Sequence, residues 1–390
     1  MEIVVVGIGA DGWSGLDAAR RTAVEAADVV LGGERHLAML PGEITAELLA
    51  WPSRLREGLP GLLAELAGRR VVALASGDPL VAGIGSTLVE LLGADAVTIL
   101  PAVSSVALAC ARMRWTAETV EVVRDVRTLS RHIAPGRRLL VLSADDTTPA
   151  RVARLLSDAG HGDSELTVLS DLGSDEESRI DAWEGETVPA LNVVAVACTG
   201  GPSLGWTSGL PDDAFDHDGQ ITKRDLRASA LARLAPVPGQ LLWDVGAGAG
   251  SIAIEWMRAH PTCRAVAVEA REDRAKRINA NAVALGVPGL RVIEGHAPEA
   301  LTGLEAPHAI FVGGGATEPG LLSACWVDLR AGGRLVVHGV TLETEHLLAE
   351  RFADLGGELS RLHVEHAAPI GSFTGWTPAR AITQWAVTKS

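Results

Sequence analysis

Tyrosine is missing from this sequence, and phenylalanine occurs only four times. Alanine, glycine and arginine abound, so the absence reflects genomic base composition, and no structural demand is read from it. Cysteine is scarce as well. Cys110, Cys198, Cys263 and Cys325 stand far apart, with no CxxC pair and no Cys/His cluster. No zinc site or disulfide framework is readable, no metal is expected, and a reducing cytosol is the expected home. No apolar run reaches the roughly 18 residues that cross a bilayer, so a membrane partner is not expected. The opening MEIVVV reads directly as a strand without a basic leader, which again makes the expected location cytoplasmic. Positive charge is also in deficit. The 49 acidic residues against 34 basic ones give a net charge of −15, a field that repels a phosphate backbone, so nucleic acid is not an expected partner.

At 390 residues and 47% hydrophobic content, the chain is longer than one core usually grows and rich enough to fill two. Short β-branched runs alternate with longer amphipathic stretches: IVVV near Ile3, VVALA near Val71, VTIL near Val97, LLVL near Leu139, then LLWDV, AVAVE, RVIEG, AIFVGG and RLVVHG. Strands alternating with helices predict an α/β protein with parallel sheets covered by helices. The pattern stops at TGGPSLGWTSGLPDDAFDHDGQ, Thr199 to Gln220, where Gly, Pro, Ser and Asp predict a linker or crossing loop. Helical periodicity resumes in ITKRDLRASALARL, with Thr222 as the expected N-cap. The predicted boundary lies near Ser208 to Asp218 and gives domains 1–208 and 213–390.

The stretch LLWDVGAGAGSIAIEW, Leu241 to Trp256, reads as strand, glycine loop and helix. Glycines let the backbone turn sharply and let a ligand approach free N–H groups at a helix start. A dinucleotide fingerprint wants G-x-G-x-x-G, whereas Gly246, Gly248 and Gly250 give G-x-G-x-G, with Ser251 where the third glycine would fall. Asp244 precedes the loop, where a carboxylate suits an ammonium better than a pyrophosphate. Glu269 ends the next strand, placed to accept hydrogen bonds from ribose hydroxyls. An acid before the glycines and another after the following strand fit S-adenosyl-L-methionine (SAM) better than NAD.

These residues resemble class I SAM-dependent methyltransferases, with DVGAGAG as the first motif and Glu269 in the second. GHAPEAL from Gly295 narrows the resemblance to the decarboxylating methyltransferases of corrin synthesis, whose usual form is GDAPEAL; His296 stands in place of the Asp. The ITK segment at Ile221, Thr222 and Lys223 also matches. The resemblance implies SAM contacts from Thr222, Asp244, Gly246, Ala247, Gly248, Ala249, Gly250, Glu269, Ala270 and Ala297. HAIFVGGGA, His308 to Ala316, lacks the N/D-P-P-Y/F motif of nucleic-acid amino methylases, and Gly313 to Gly315 would leave a roomy wall beside the methyl donor.

In the first half, GIGADG at Gly7 to Gly12 satisfies G-x-G-x-x-G formally, but Asp28 begins DVVLGG instead of ending a strand, so a nicotinamide reading is poor. ASGDPLVAG at Ala75 to Gly83 and PAVSS at Pro101 to Ser105 complete a trio that resembles the tetrapyrrole methyltransferases, a two-lobed class III SAM fold. The GDP pattern is complete at Gly77, Asp78, Pro79 and Gly83, while Ala102 replaces a usual Gly. The resemblance implies cofactor contacts from Ser76, Gly77, Asp78, Val81, Ser104 and Ser105, each serine being equally a helix cap. The first glycine loop would face substrate.

The pairing resembles the bifunctional methyltransferases of corrin biosynthesis. It implies a class III methylase fold followed by a Rossmann-like class I fold, with one SAM per domain and S-adenosyl-L-homocysteine as product. It further implies methylation at carbon 5 by the first domain, and at carbon 15 by the second with loss of carbon dioxide from the carbon 12 acetate. The substrate would be a polyanionic tetrapyrrole. Its expected cation partners are Arg35, His36, Arg112, Arg114, Lys223, Arg224 and Arg227, with Lys223 and Arg224 as catalytic candidates; Asp11 is the candidate proton acceptor, or else a helix cap. Analogy with related dimers and tetramers implies a homo-oligomer. A methyltransferase for RNA or protein and a SAM-sensing regulator remain the alternatives.

Overall fold

The computed structural model describes residues 2–390. Residues 2–126 and Ile133–Pro202 form one compact unit, and Arg127–His132 with Ser203–Ser390 form the other. The units are therefore not contiguous in sequence. Gly286 accounts for the exception: a Cβ there would lie 2.5 Å from Arg131 N and 3.0 Å from Thr128 O, so only a glycine lets residues 127–132 pack against the second unit.

The first unit carries two sheets. Strands β1 (Ile3–Ile8), β2 (Val29–Gly32), β3 (Glu47–Ala50), β4 (Val71–Ser76) and β5 (Val97–Leu100) form a parallel sheet in the order β3-β2-β4-β1-β5. The β1 residues alternate between cores, with Ile3 and Val5 in one and Val6 and Ile8 in the other, as burial on both faces requires. Strands β6 (Val120–Val123), β7 (Arg138–Leu142), β8 (Glu165–Ser170), β9 (Ser178–Ile180) and β10 (Asn192–Ala197) form the second sheet, ordered β6-β7-β10-β8-β9. There β10 runs antiparallel to both β7 and β8. This departs from the parallel arrangement expected. Buried antiparallel and parallel strands read alike, as short apolar runs such as NVVAVA.

The second unit is built on β11 (Leu241–Val245), β12 (Arg264–Glu269), β13 (Arg291–Glu294), β14 (Ala309–Val312), β15 (Arg334–Gly339) and β16 (Glu358–Leu362). A hairpin of β17 (Glu365–Ile370) and β18 (Phe373–Pro378) precedes β19 (Ile382–Thr388). The sheet order is β13-β12-β11-β14-β15-β19-β16, with β19 antiparallel to both its neighbours. The chain moves outward from β11 through β12 to β13, then returns to build β14 and β15 on the other side. Such a reversal leaves a crevice at the carboxyl ends of β11 and β14, where ligands bind in open α/β sheets.

The linker read from composition is an ordered strap, and its fastening is electrostatic. Arg227, on the helix Arg224–Leu234, is fully buried, and its Nε lies 2.6 Å from Glu255 Oε1 on the helix Ser251–Ala259. Glu255 also accepts from Gly209 N at 2.6 Å and Leu210 N at 2.9 Å. Arg227 donates in turn to Asp212, to Leu210 O and to Thr222 O. Asn281 continues the fastening: its Oδ1 accepts from Asp216 N, and its Nδ2 donates to Asp216 O and Ala249 O. Arg227 is thus committed within the fold, which removes it from the expected substrate cations. Lys223, not Thr222, occupies the N-cap and makes no side-chain cap bond.

Removing one partner of a buried ion pair leaves the other charge uncompensated, at a cost of about 3–5 kcal/mol. Arg227→Met is expected to lower unfolding free energy by that amount in urea titrations, and the joint Arg227→Met, Glu255→Gln variant to recover part of it.

Candidate functional site

The crevice of the second unit is a cavity of about 680 Å³, within the range of small-ligand sites. Gly246, Gly248 and Gly250 all have positive φ, at 71°, 60° and 76°. Each also meets a neighbour closely. A Cβ would lie 3.1 Å from Gly314 O at Gly246, 2.8 Å from Gln220 O at Gly248, and 2.7 Å from Ile278 Cγ2 at Gly250. The loop is therefore clasped between the strap above, the Gly313–Gly315 turn beside it, and the helix Glu272–Ala284 behind. Glu269 faces the cavity with both oxygens in use: Oε2 accepts from Gly248 N at 2.9 Å and Oε1 from Arg271 N at 3.1 Å. A carboxylate has about four lone-pair sites, so it retains acceptors for a diol.

Of the expected residues, Thr222, Lys223, Gly246, Ala247, Gly248, Glu269, Ala270 and Ala297 line this cavity, together with His296. Ala249 and Gly250 lie outside the lining and serve the turn, and Arg224 lines a neighbouring cavity instead. Asp244 lies beneath the loop, away from the cavity in which an ammonium would sit. Its Oδ2 accepts from Ala253 N at 3.0 Å, and Oδ1 is buried without a partner among the described residues. Burial, opposed by that hydrogen bond and assisted by nearby Glu269, pushes its pKa up to about 7.

Sequence reasoning passed over His338, inside the apolar run RLVVHG. It lines the cavity, stacks edge-on against Phe311 at 4.9 Å, and has Nε2 2.9 Å from Gln384 Oε1. Burial depresses its pKa to about 4, so the imidazole is neutral near neutrality. A lone histidine in an apolar strand was the available signal, but its partner Gln384 comes from β19, which periodicity had not identified.

The first unit carries a cleft of about 390 Å³ at the ends of β1, β4 and β5. Three loops close together there. Gly77 N donates to Ile8 O at 2.9 Å and Ala102 N to Gly77 O at 3.1 Å. A Cβ on Gly7 would lie 2.0 Å from Gly77 O. Ser76, Gly77, Val81, Ser104 and Ser105 line the cleft, and Ser104 also caps the helix Ser105–Met113 by accepting from Ala107 N. Asp78 is outside the lining and accepts from Leu80 N at 2.9 Å. Asp11 is also outside it: the carboxylate folds over Gly9 and Gly15, and makes no side-chain cap bond.

Arg35 and His36 do enter the cleft, around Ser76. Arg35 Nη2 lies 2.8 Å from His36 Nε2 and 3.1 Å from Ser76 Oγ. A guanidinium only donates, so His36 Nε2 is the acceptor and the ring proton sits on Nδ1. Burial and then the Arg35 charge depress the His36 pKa to about 4. Arg112 instead pairs with Glu177, which occupies it, and Arg114 is outside the cleft lining. Ser143, just after β7, and Asn192, at the start of β10, complete the cleft and were not identified from sequence.

Residues 213–389 match the family described as precorrin methyltransferase domain, and residues 2–187 the tetrapyrrole (corrin/porphyrin) methylases. The chain is 48% identical over 396 residues to the precorrin-6Y C(5,15)-methyltransferase (decarboxylating) of Mycobacterium tuberculosis strain CDC 1551 / Oshkosh, spanning 99% of this chain and 100% of that protein. A Sinorhizobium protein of the same name is 45% identical over 399 residues, 99% of this chain and 96% of that one. A shorter relative, the cobalt-precorrin-7 C(5)-methyltransferase of Salmonella typhimurium, is 30% identical over 184 residues, 45% of this chain and 87% of that protein.

The raised pKa of Asp244 makes a pH prediction. The folded state binds this proton more tightly than the unfolded chain, whose aspartate titrates near 3.8. The stabilisation is fully present below that value and is lost as pH rises through about 7. Asp244→Asn is therefore expected to gain stability relative to the parent as pH rises from about 4 to about 7 and to hold that gain above it, a comparison made by urea unfolding at each pH; parallel pH profiles for the two proteins would refute it.

Proposed function

The chain belongs to the precorrin-6Y C(5,15)-methyltransferase (decarboxylating) family, and from that premise we propose that it is a bifunctional SAM-dependent C-methyltransferase of cobalamin biosynthesis. The observation that carries the reading is a pair of clefts at parallel-strand ends, one in each unit, both built from glycine loops of methyltransferase type. The first unit would methylate carbon 5 of the macrocycle. The second would methylate carbon 15 and release the carbon 12 acetate's carboxyl group as carbon dioxide. This division is supported by the two separate family matches and by the shorter C(5)-methyltransferase relative. Domains 1–208 and 213–390 then remain our functional division, with residues 127–132 packed in the second unit.

SAM supplies an activated methyl group on a sulfonium in either cleft, and the residues present fit such a ligand. In the second unit, Glu269 would accept from the ribose hydroxyls, and the backbone at Gly246, Ala247 and Gly248 would follow the amino-acid end. Thr222 and Ala297 close the two sides. In the first unit, the backbone of Gly77 and the hydroxyls of Ser76, Ser104 and Ser105 would do the corresponding work. With the donor supplying the reactive group, the protein's work is orientation, which can contribute up to roughly 7–11 kcal/mol of barrier reduction. Asp11 would take a proton from the macrocycle if the loop opens, and Lys223 and Arg224 would steady the tetrapyrrole's carboxylates.

No helix among the described residues is long and apolar enough to cross a membrane; a cytoplasmic, homo-oligomeric enzyme is our expectation, and a monomer in light scattering would defeat the oligomer.

Substitutions at one glycine per unit test the division in the intact chain. Gly77→Val, beside Val103 O, is expected to abolish carbon 5 methylation while methylation with decarboxylation persists. Gly248→Val, beside Gln220 O, is expected to do the reverse. Product masses after incubation with SAM and precorrin-6Y decide between them. If either variant loses neither reaction, or the parent leaves the tetrapyrrole unchanged, the reading fails.

A further inference from the structure

Beside the donor cavity of the second unit lies another, of about 600 Å³, which shares Lys223, Leu226, Ala379 and Arg380 with it. One wall is the first turn of the helix Arg224–Leu234. The other is the base of the β17–β18 hairpin, where Ala379 N donates to Val364 O at 2.8 Å and where His366 and Arg380 line the space. Pro211 and Asp212 of the strap complete it.

The charges in this cavity are unevenly satisfied. Asp212 lies 3.2 Å from the buried Arg227 guanidinium and 3.5 Å from Lys223 Nζ, so its charge is already answered. Asp225 is the other carboxylate; it has no cation partner among the described residues, so Lys223, Arg224 and Arg380 exceed the two carboxylates of the lining by one charge. Arg224 and Arg380 have no carboxylate partner among the described residues. Elsewhere in the same unit several arginines are tied up, Arg233 with Glu358, Arg264 with Glu305, Arg271 with Asp273, Arg274 with Asp218 and Arg361 with Glu345, although Arg291 and Arg351, away from this cavity, also lack a carboxylate partner among the described residues. In a chain of net charge −15, two free guanidinium groups on one cavity mark a place for an anion with more than one carboxylate. Within the donor cavity, the cations of the lining are Lys223, Arg274 and Arg380, and the stretch Gly313 to Glu318 adds none.

We propose that the second cavity is a carboxylate-anchoring subsite for the macrocycle, in which Arg224 and Arg380 hold side chains that the product retains, turning the acetate that is lost toward the Gly313–Gly315 stretch of the donor cavity, which itself carries no cation. The proposal rests on the functional reading above and deepens it. Its chemistry balances. The ring gains a methyl cation, the bond from the acetate methylene to its carboxyl carbon breaks, the electron pair neutralises the ring, and carbon dioxide leaves. A guanidinium on that carboxylate would stabilise the charge that must be given up, and so raise the barrier. Cations on the retained carboxylates orient the substrate without that penalty.

Arg224→Gln, Arg380→Gln and the double variant of the full chain test the subsite. For each charge removed, the KM for precorrin-6Y in the decarboxylating reaction should rise about tenfold, the effect of losing one charge-assisted hydrogen bond. The kcat should change less, and SAM affinity measured by calorimetry should not change. Arg380→Lys should recover part of the loss. Added NaCl should raise the KM of the parent far more than that of the double variant. A double variant with the parent's KM overturns the subsite while leaving the functional reading intact. A matching fall in SAM affinity also overturns it, because the residues would then serve the donor. A parent chain that fails to bind the tetrapyrrole, followed by absorbance titration, overturns the functional reading itself.

Discussion

Backbone lies against backbone at both candidate sites, and everything else about them follows from that closeness. Gly7 lies where a Cβ would come within 2.0 Å of Gly77 O, and Gly248 where one would come within 2.8 Å of Gln220 O. Side chains would force these loops apart and fill the space that a ligand needs. With glycine, successive loops can stack at the carboxyl ends of the strands and present N–H groups and short hydroxyls to a cleft. The two units reach the same solution with different sheets. In the first, three loops from a parallel sheet meet side chains from a largely antiparallel one. In the second, a single reversal of strand order opens the crevice.

Charge then decides which parts may move. The Arg227–Glu255 pair is buried, and it holds the strap that lies over the second glycine loop. Ion pairs of this kind add little net stability over a well-packed apolar replacement, but breaking one is costly, so they fix register. Here the register is that of Gly219 to Lys223 above the cavity. Several other arginines in this unit have carboxylate partners, whereas Arg224 and Arg380 stand together on one cavity without one. A strongly acidic chain can offer a local positive site on those terms.

The buried acids and imidazoles follow the same logic. Asp244 is excluded from solvent and supports the helix that starts at Ser251, while Glu269 stays in contact with the cavity. One carboxylate shapes the loop and the other is left to meet a ligand. His36 and His338 are both held neutral by burial, in different units, each beside a cavity.

Much of this was legible in the sequence. Apolar runs from IVVV to RLVVHG located nine of the strands, and the glycine spacings with Glu269, GDP and PAVSS pointed to the two cavities proposed as sites, because tight turns at strand ends admit few residue types. What tertiary structure alone decided was partnership. Nothing local distinguishes Arg227, sealed against Glu255, from Arg224, one turn away and free, since both sit on one helix with the same charge. The antiparallel sheet of the first unit, the late strand that brings Gln384 to His338, and the return of residues 127–132 to the second unit likewise depend on contacts distant in sequence. Motifs encode the backbone geometry a ligand requires. Whether a charged side chain is free to meet that ligand depends on which distant residue has already claimed it.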